Sequence, residues 1–377
     1  DKDYARLDTT RTSLIGSGGR IQIVKNNGHL NLMGVVIWKT PGFEINDLGY
    51  MQSADQILSV AWAGYNLWEP KGIYRSMNIN ADIYTVRNFG GDNLGNGFEY
   101  NLNINLKNYW NAWAGGNFST NSFDNSILRG GPLMKTPGRM NARVGFSTDD
   151  RKKMSLSFYT SYNTAYKNNE SNLYSEVSLS YKPVNYLSVS LGPGYTKSFS
   201  ELQYVTQAKF NDNDRYVFAS IDRKTLNASL RIDFNLNPEL TVQYWGQPFI
   251  ATGKYYNYKY ITDPLAEKFT SRFNGYTEPQ VLRGEETFGI DENSDGLSDF
   301  SFDTPDFKFG QFLSNLVVRW EYSPGSTVYL VWSQTRSSSD SSGTMDYFND
   351  MGNLFSRNDN VPNNVFLIKF SYRFGLK

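Results

Sequence analysis

Apolar and polar side chains alternate along segment after segment of this chain. Residues 226–235 have an apolar side chain at every second position and a polar or charged one between. The same pattern recurs in residues 77–83, 101–106, 154–158 and 187–191. Because successive side chains of a β-strand point to opposite faces, each segment is predicted to be a strand with one apolar and one polar face. A sheet of such strands has water on one side and an apolar medium on the other, which is typical of a closed β-barrel in a membrane.

Short, turn-rich links separate many of these segments. Seven are predicted, at 26–28, 69–72, 107–108, 149–151, 182–185, 237–239 and 323–326. Their Gly, Pro, Asn and Asp residues favour hairpin turns. The other connections are longer, at 40–54, 88–97, 119–138, 164–172, 195–222, 253–306 and 335–363. Short turns on one side and long loops on the other are the polarity of bacterial outer-membrane barrels, whose short turns face the periplasm.

The number of turns predicts the number of strands. Seven turns join fourteen strands, and the alternating segment 365–374 adds another, so about fifteen strands are visible. Single-chain bacterial barrels close with an even number of strands. We therefore expect an all-β, transmembrane antiparallel β-barrel of about sixteen strands, with the first one missing upstream of Asp1. Residues 1–377 are predicted to form this single domain, with its longest extracellular loops at 253–306 and 335–363.

The composition agrees with this architecture. Aromatic residues make up 16% of the chain, and outer-membrane barrels carry girdles of aromatic side chains at both interfaces. An aromatic-rich soluble sandwich is the alternative. The mean hydropathy is −0.52, because a water-facing residue offsets each lipid-facing one. The net charge is zero, so the chain lacks the basic surface of nucleic-acid-binding proteins, and it contains no cysteine for disulfides or thiolate metal sites.

The polar face of the strands is predicted to line an aqueous lumen. An outward-facing Arg in the middle of a bilayer costs roughly 2–4 kcal/mol, so arginines on the strands are expected to point inward. There they either tune ion passage or pair with acidic neighbours such as Asp82 and Glu321. The predicted lumen-facing residues are Arg75, Asn78, Asn80, Asn101, Asn103, Asn105, Arg231 and Asp233.

One local motif predicts a metal site. Residues 291–296 match D-x-[DN]-x-[DN]-G, a spacing that wraps oxygen ligands around Ca²⁺ with a glycine at the sharp turn. The predicted ligands are Asp291, Asn293, Asp295, the backbone carbonyl of Leu297, and Asp299. The acid expected at position 12 is absent, since Phe302 is there. The motif therefore predicts a structural calcium site in an extracellular loop, with a solvated acidic loop as the alternative.

Candidates for catalysis are few. The only histidine, His29, lies in a predicted periplasmic turn, so a Ser-His-Asp triad has no suitable base. Carboxylates are plentiful, but an acid–base pair needs a defined separation that sequence does not supply. Aromatic loop residues such as Trp38 and Trp68 could stack on sugars, although anchoring at the membrane interface is the commoner use. The chain is predicted not to be an enzyme.

Five strings carry a family resemblance: LDTTRTSL at 7–14, PGFEINDLG at 41–49, LRGGP at 128–132, DFSFDTPDF at 299–307 and PGSTVYLVW at 324–332. Together they resemble the C-terminal barrel of a Bacteroidota-type family of unknown function, whose members carry an N-terminal domain like carbohydrate-binding module family 9. The resemblance spans essentially the whole chain. It implies a Gram-negative cell outer membrane, an association with carbohydrate or the cell envelope, and an N-terminal periplasmic domain that is absent from this chain.

These observations predict a function in the cell envelope. The leading hypothesis is an outer-membrane barrel that anchors or partners a periplasmic carbohydrate-binding-type module, as a subunit of a larger envelope complex. The alternative is a porin-like channel for small polar solutes or oligosaccharides. The expected partners are outer-membrane lipid and lipopolysaccharide, other envelope proteins, and carbohydrate through the missing module. Nucleic acid is not an expected partner, and structural Ca²⁺ is the only candidate cofactor.

Overall fold

Antiparallel β-structure dominates the molecule. A computed structural model describes residues 3–6, 8, 10–166, 169–284, 286–356 and 361–375. Within these residues the strands form a large antiparallel sheet of 16 strands and two smaller sheets. The prediction of an all-β, antiparallel fold is therefore confirmed. The predicted segments at 7–14, 164–172, 253–306 and 335–363 each include a few positions that lie outside the described residues.

The strand bounds follow the alternating segments. In chain order, the strands of the described residues are β1 (Gly18–Asn26), β2 (Leu30–Lys39), β3 (Gln56–Leu67), β4 (Tyr74–Arg87), β5 (Asn93–Leu106), β6 (Asn111–Ser119), β7 (Ser122–Asp124), β8 (Met134–Thr136), β9 (Arg139–Ser147), β10 (Met154–Ala165), β11 (Glu170–Val184), β12 (Leu187–Phe210), β13 (Asn213–Asn235), β14 (Leu240–Ile261), β15 (Phe273–Gly275), β16 (Val281–Arg283), β17 (Thr287–Ile290), β18 (Phe300–Asp303), β19 (Phe307–Ser323), β20 (Ser326–Asp340) and β21 (Asn363–Ser371).

Helical segments are short. They include helix α1 (Tyr347–Phe355) and 3-10 helices at Asp3–Ala5, Phe269–Ser271 and Glu278–Gln280. The side chain of Asp346 caps α1 by accepting a hydrogen bond from the backbone N–H of Asn349. No helix in the described part of the chain is long and apolar enough to cross a membrane.

The large sheet follows the chain order. Its sequence of neighbours is β1-β2-β3-β4-β5-β6-β9-β10-β11-β12-β13-β14-β19-β20-β21, and β15 pairs with β14 beside this path. The main path thus contains fifteen strands among the described residues, in agreement with the number counted from the sequence. The pairs β7-β8 and the set β16-β17-β18 form the two smaller sheets.

The seven predicted short links all join neighbouring strands of the large sheet. In the first hairpin, Asn26 lies opposite Asn31, and Gly28 in the turn has a φ of +73°. In the last, Gly325 has a φ of +78°. Glycine adopts this left-handed conformation without the steric penalty of a Cβ, so these two residues make the tight turns possible.

The connection predicted at 195–222 is wrong as a long loop. Strands β12 and β13 run through it, and only the turn at Asn211 and Asp212 separates them. Both turn residues have positive φ, 48° and 60°, which is the conformation of a two-residue hairpin turn. The alternation is less regular in this segment, and a register shift between Ser200 and Gln203 accounts for part of that irregularity. The strands were therefore harder to recognise from periodicity.

Contacts divide the chain into two compact units. The first consists of Asp1–Val144, Asn163–Asn169 and Tyr260–Asn274. Its most deeply buried apolar side chains, Leu128 and Met134, belong to the segment around β7 and β8, whereas the strands β1 to β5 leave most of their apolar side chains exposed or half-buried.

The second unit consists of Gly145–Tyr162, Glu170–Lys259 and Gly275–Lys377. Its buried apolar side chains lie near the ends of the strands opposite the tight turns and in the adjoining loops. They are Val217, Phe218, Ala219, Ile221, Ile250, Tyr258, Val281, Phe288, Ile290 and Leu354. Each unit therefore has an ordinary buried core in its loop-bearing part, and a two-faced sheet below it.

Candidate functional site

A ladder of asparagine side chains crosses three strands of the first unit. Asn78 of β4 donates to the side chain of Asn66 at 2.7 Å, and Asn80 donates to Asn78 at 2.7 Å. Asn101 of β5 donates to Asn80 at 3.1 Å. Strand register explains the ladder, because Asn66 lies opposite Asn78, and Asn80 lies opposite Asn101. The amides satisfy one another on a single polar face.

The ladder continues into a charged group. Arg143 of β9 donates to the side chain of Asn101 at 2.6 Å, and its guanidinium also forms an ion pair with Glu99. Both charged side chains are partly exposed, at 28% and 32%. The pair is therefore still hydrated, and its contribution to stability is modest. A face that combines amides with a hydrated ion pair suits contact with water.

The remaining predicted residues of β4 and β5 divide between two environments. Asn103 lies opposite Asn78 in the register, and Asn105 donates to the hydroxyl of Ser76 at 2.8 Å, so both extend the polar face. Arg75 lies at the register shift beside Ser76, and its guanidinium stacks over the Tyr109 ring at 4.5 Å. Arg75 thus belongs to the turn end of these strands rather than to the ladder.

The two predicted residues of the second unit do contact each other. Arg231 and Asp233 of β13 form an ion pair at 3.1 Å, and Gln243 of β14 donates to Asp233 at 2.9 Å. The opposite face of β13 carries Leu230 and Ile232, which pair with Leu191 and Val189 of β12. The two faces of this strand therefore differ as the alternation predicts.

The apolar faces are exposed. In the first unit, Ile83 is 60% exposed and Phe98 is 43% exposed, although both belong to strands with neighbours on either side. Small residues such as Gly34 and Ala61 form shallow grooves on this face, with volumes of about 450 and 580 Å³. In the second unit, Leu330 and Trp320 are about half exposed. Soluble proteins rarely leave apolar surfaces of this extent open to water.

The candidate calcium loop is closed by its own backbone. The carboxylate of Asp291 accepts from the N–H groups of Asp295 at 3.1 Å and Gly296 at 2.7 Å. The side-chain amide of Asn293 donates to Asp295 at 3.1 Å and to Asp299 at 3.4 Å. Asn293, Asp295 and Asp299 are therefore brought together, as the motif requires.

Other features of this loop leave calcium undecided. Leu297, whose carbonyl is the predicted fourth ligand, has a largely exposed side chain. Phe302, at position 12 of the motif, packs against Tyr258 and Phe288 and serves the core instead. Among the described residues, no group of three or more His, Cys, Asp or Glu side chains is arranged to hold a metal ion. Calcium stays a prediction.

Sequence reasoning missed an aromatic cluster beside this loop. The Tyr258 ring lies 5.7 Å from both Phe288 and Phe302, and Arg283 lies over the Phe288 ring at 5.5 Å. Burial raises the pKa of the Tyr258 phenol above its usual range. These residues are far apart along the chain, so periodicity within one segment contains no signal for their contact. The cluster holds the sheet β16-β17-β18 to the end of β14.

A buried ion pair fastens the same segment. Glu292 accepts from Arg215 of β13 at 2.8 Å, and the hydroxyl of Tyr276 donates to Glu292 at 3.1 Å. In the first unit, Arg272 plays a comparable role. Its guanidinium is 2% exposed and donates to the backbone carbonyls of Ala266 and Lys135 at 2.9 and 2.8 Å. The long loops of both units are thus fixed by charged side chains that bond to distant backbone or acids.

Comparison with known proteins identifies the family. The model of the family described as Domain of unknown function (DUF5916) matches residues 2–374. The chain belongs to this family. A search of curated proteins finds no match.

Proposed function

We propose that this DUF5916 chain is a transmembrane β-barrel of the cell outer membrane in a Gram-negative, Bacteroidota-type bacterium. The exposure of one apolar sheet face, beside a hydrogen-bonded polar face on the same strands, carries the proposal. Ile83 and Phe98 stand out on the first face, and the ladder of Asn80 and Asn101 occupies the second. Water suits only the second of these faces, and hydrocarbon suits the first.

Closure of the sheet follows from the medium. In hydrocarbon, an unpaired backbone N–H or C=O costs several kcal/mol, because no water is available as a partner. A sheet with open edges is therefore not tolerated in a bilayer, whereas a barrel pairs every strand. The proposed barrel has the tight turns on the periplasmic side and the long, ordered loops outside.

Within the envelope, we assign the barrel an anchoring role. It holds a periplasmic carbohydrate-binding-type module, in the sense of the family resemblance, and takes part in a larger envelope complex. The ordered loops support this assignment, because the cluster around Tyr258 and the ion pair of Glu292 make a rigid surface suited to a protein partner. The role requires no catalytic residues.

Membrane insertion is testable with the purified chain. After expression in a Gram-negative host, it is expected in the outer-membrane fraction and resistant to extraction with carbonate. On gel electrophoresis without boiling, a folded barrel migrates differently from the boiled sample. Recovery in the soluble fraction, with the same migration before and after boiling, would contradict the proposal.

A porin-like channel is the second candidate. The amide ladder and the hydrated pair of Arg143 and Glu99 favour it, because such a face is suited to polar solutes. Planar bilayers separate the two functions. A stable open conductance of the reconstituted chain assigns a channel, and its absence in an inserted, folded chain assigns the anchoring role.

We also propose that Ca²⁺ binds residues 291–299 and stabilises the extracellular loop. The oxygen-rich motif and the close approach of Asn293, Asp295 and Asp299 support this role. The effect would be structural, since an ion that binds the folded loop more tightly than the unfolded one stabilises it.

A further inference from the structure

Three lysines of the second unit lie on one face of three neighbouring strands. Lys197 of β12 lies directly opposite Lys224 of β13 in the register. The hydroxyl of Tyr256 in β14 donates to the carboxylate of Asp222 at 3.1 Å, so these two side chains share a face. Since side chains two residues apart point the same way, Lys254 and Lys224 belong to that face as well.

The lysines border a common cavity of about 370 Å³. Its other walls are formed by Asp222 and Thr252 and, from the loop after β20, by Gly343 and Met345. All three lysines are exposed, whereas Thr252 is buried at the floor. The cavity is therefore open to solvent on its charged side, and large enough for a phosphate group with its substituents.

The charges in this cavity are not balanced by the protein. Lys254 forms an ion pair with Asp306, and Asp222 accepts the Tyr256 hydroxyl. Within the residues that the structure describes, neither Lys197 nor Lys224 has a carboxylate within 4.0 Å. Like charges directly opposite on two strands are destabilising unless an anion lies between them.

A fourth lysine on the same face provides a contrast. Lys308 of β19 lies opposite Thr252, next to this cavity. It forms ion pairs with Asp340 at 3.2 Å and with Asp350 of α1 at 3.0 Å. The chain thus supplies acids for Lys308 and supplies none for the pair of Lys197 and Lys224. The difference indicates that the unmatched pair serves an external anion.

The height of the cavity on the sheet identifies the kind of anion. Below Lys197, the side chains on its face are apolar: Leu187, Val189, Leu191, Pro193 and Tyr195. Below Lys224, they are Phe234, Ile232, Leu230, Ala228 and Leu226. Ten residues of strand span about 33 Å, or about 25 Å across a bilayer at the tilt of membrane barrels. That is the height of the apolar band, so the lysines lie at the level of lipid headgroups.

We infer that Lys197 and Lys224, assisted by Lys254, bind the phosphate group of an anionic glycolipid whose acyl chains lie along the apolar side chains below. Lysine ammonium groups bind phosphate through charge and several rotatable donors. The inference rests on the proposed function, because it needs the apolar face to lie in a bilayer. It adds to that function a defined lipid site at the extracellular rim.

The test uses native mass spectrometry of the full chain, folded in detergent. Three ligands are titrated: a lipid A glycolipid bearing phosphate, the same glycolipid after phosphatase treatment, and inorganic phosphate. The variant Lys197→Gln/Lys224→Gln removes the unmatched pair. The control Lys152→Gln/Lys153→Gln removes the same charge from an exposed turn of the same unit.

We expect the phosphorylated glycolipid to bind the wild type and the control equally, and the Lys197/Lys224 variant at least about tenfold more weakly. Each charge-assisted hydrogen bond to phosphate is worth about a factor of ten or more. The dephosphorylated lipid is expected to bind all three proteins weakly.

Three results would overturn the inference. Equal binding of the phosphorylated lipid to both variants would remove the site, and so would equal binding of the dephosphorylated lipid to the wild type. Competition by inorganic phosphate at the concentration of the lipid would assign a free-anion site instead. In each case, a wild-type chain that still inserts into membranes leaves the proposed function intact, whereas a chain that does not insert overturns both.

Discussion

Two regions of the molecule use the same side chains in opposite ways. In the sheet β16-β17-β18 and its surroundings, Ile290 is fully buried and Phe288 is 6% exposed. On the apolar face of the large sheet, Ile83 is 60% exposed and Phe98 is 43% exposed. The loop region follows the rule of water-soluble proteins, in which apolar side chains bury against one another. The large sheet does not.

The difference indicates two solvents. Hydrophobic side chains of the loops had to find partners within the protein, so the chain folds back and builds a core from Tyr258, Phe288 and Phe302. Side chains on the face of the large sheet needed no such partner, because in the proposed setting lipid chains supply the contacts. Each region can therefore be tested by a substitution that its own solvent would not tolerate.

The largest effect is expected in the loop core. Phe288→Ala removes a buried ring from the cluster and should destabilise this region by about 3–5 kcal/mol. Hydrogen exchange of the amides in 281–303 should accelerate, while that of the large sheet is unchanged. Phe348→Ala, at an exposed ring of α1, is the matched control and should change stability by less than about 0.5 kcal/mol. Faster exchange throughout the sheet would mean that the two regions are not distinct.

A slightly smaller effect is expected on the sheet. Leu230→Arg places a charge on the apolar face and should cost roughly 2–4 kcal/mol in a bilayer. Ser229→Arg, one residue away on the polar face, should be tolerated. The measurement is the free energy of unfolding from lipid vesicles in urea. Equal tolerance of the two variants would contradict the assignment of the faces.

Calcium should sharpen the picture of the loop region. At ten to a hundred times its dissociation constant, a bound ion stabilises the folded form by roughly 1.4–2.7 kcal/mol. Calorimetric titration of the wild type with Ca²⁺ should show binding heat, and Asp295→Ala should abolish it. Identical flat traces for both proteins would end the calcium hypothesis and leave a solvated acidic loop.

The smallest effect concerns a turn at the other end of the strands. The guanidinium of Arg151 holds the pKa of the Asp149 carboxyl at about 2, below its ordinary value of 3.8. Because the folded pKa is the lower one, this stabilisation is present above about pH 3.8 and is lost as the pH falls through 2. Asp149→Asn should therefore reduce the loss of stability between pH 5 and pH 2.

The neighbouring Asp150→Asn, at an exposed position of the same turn, is the control for that titration. It should leave the slope of the unfolding free energy against pH as in the wild type. A slope that responds equally to both substitutions would show that general charge, rather than the contact with Arg151, sets the acid dependence.

The sequence predicted most of the large sheet. Alternation located the strands, and Gly, Pro, Asn and Asp located all seven tight turns, because both signals are local properties of the chain. The length of β12 and β13 was missed, since their outer parts carry mixed side chains and a register shift. Predictions from period two fail where neither face of a strand is uniformly apolar.

The candidate sites were predicted less completely. Asn78, Asn80 and Asn101 were recognised as one face, but the ladder depends on the register that sets Asn80 opposite Asn101. The contacts of Glu292 with Arg215, and of Lys197 with its opposite lysine, have no local signature. They arise from pairing between segments that are far apart in the chain.

Sequence alone thus determined which side of each strand is apolar, where the chain turns, and that the two faces need different surroundings, because adjacent residues carry that information. Only the tertiary structure decided which polar groups satisfy one another, which lysines are left without an acid, and where the loops build a conventional core. Those outcomes depend on register and on long-range packing, which no short stretch of residues specifies by itself.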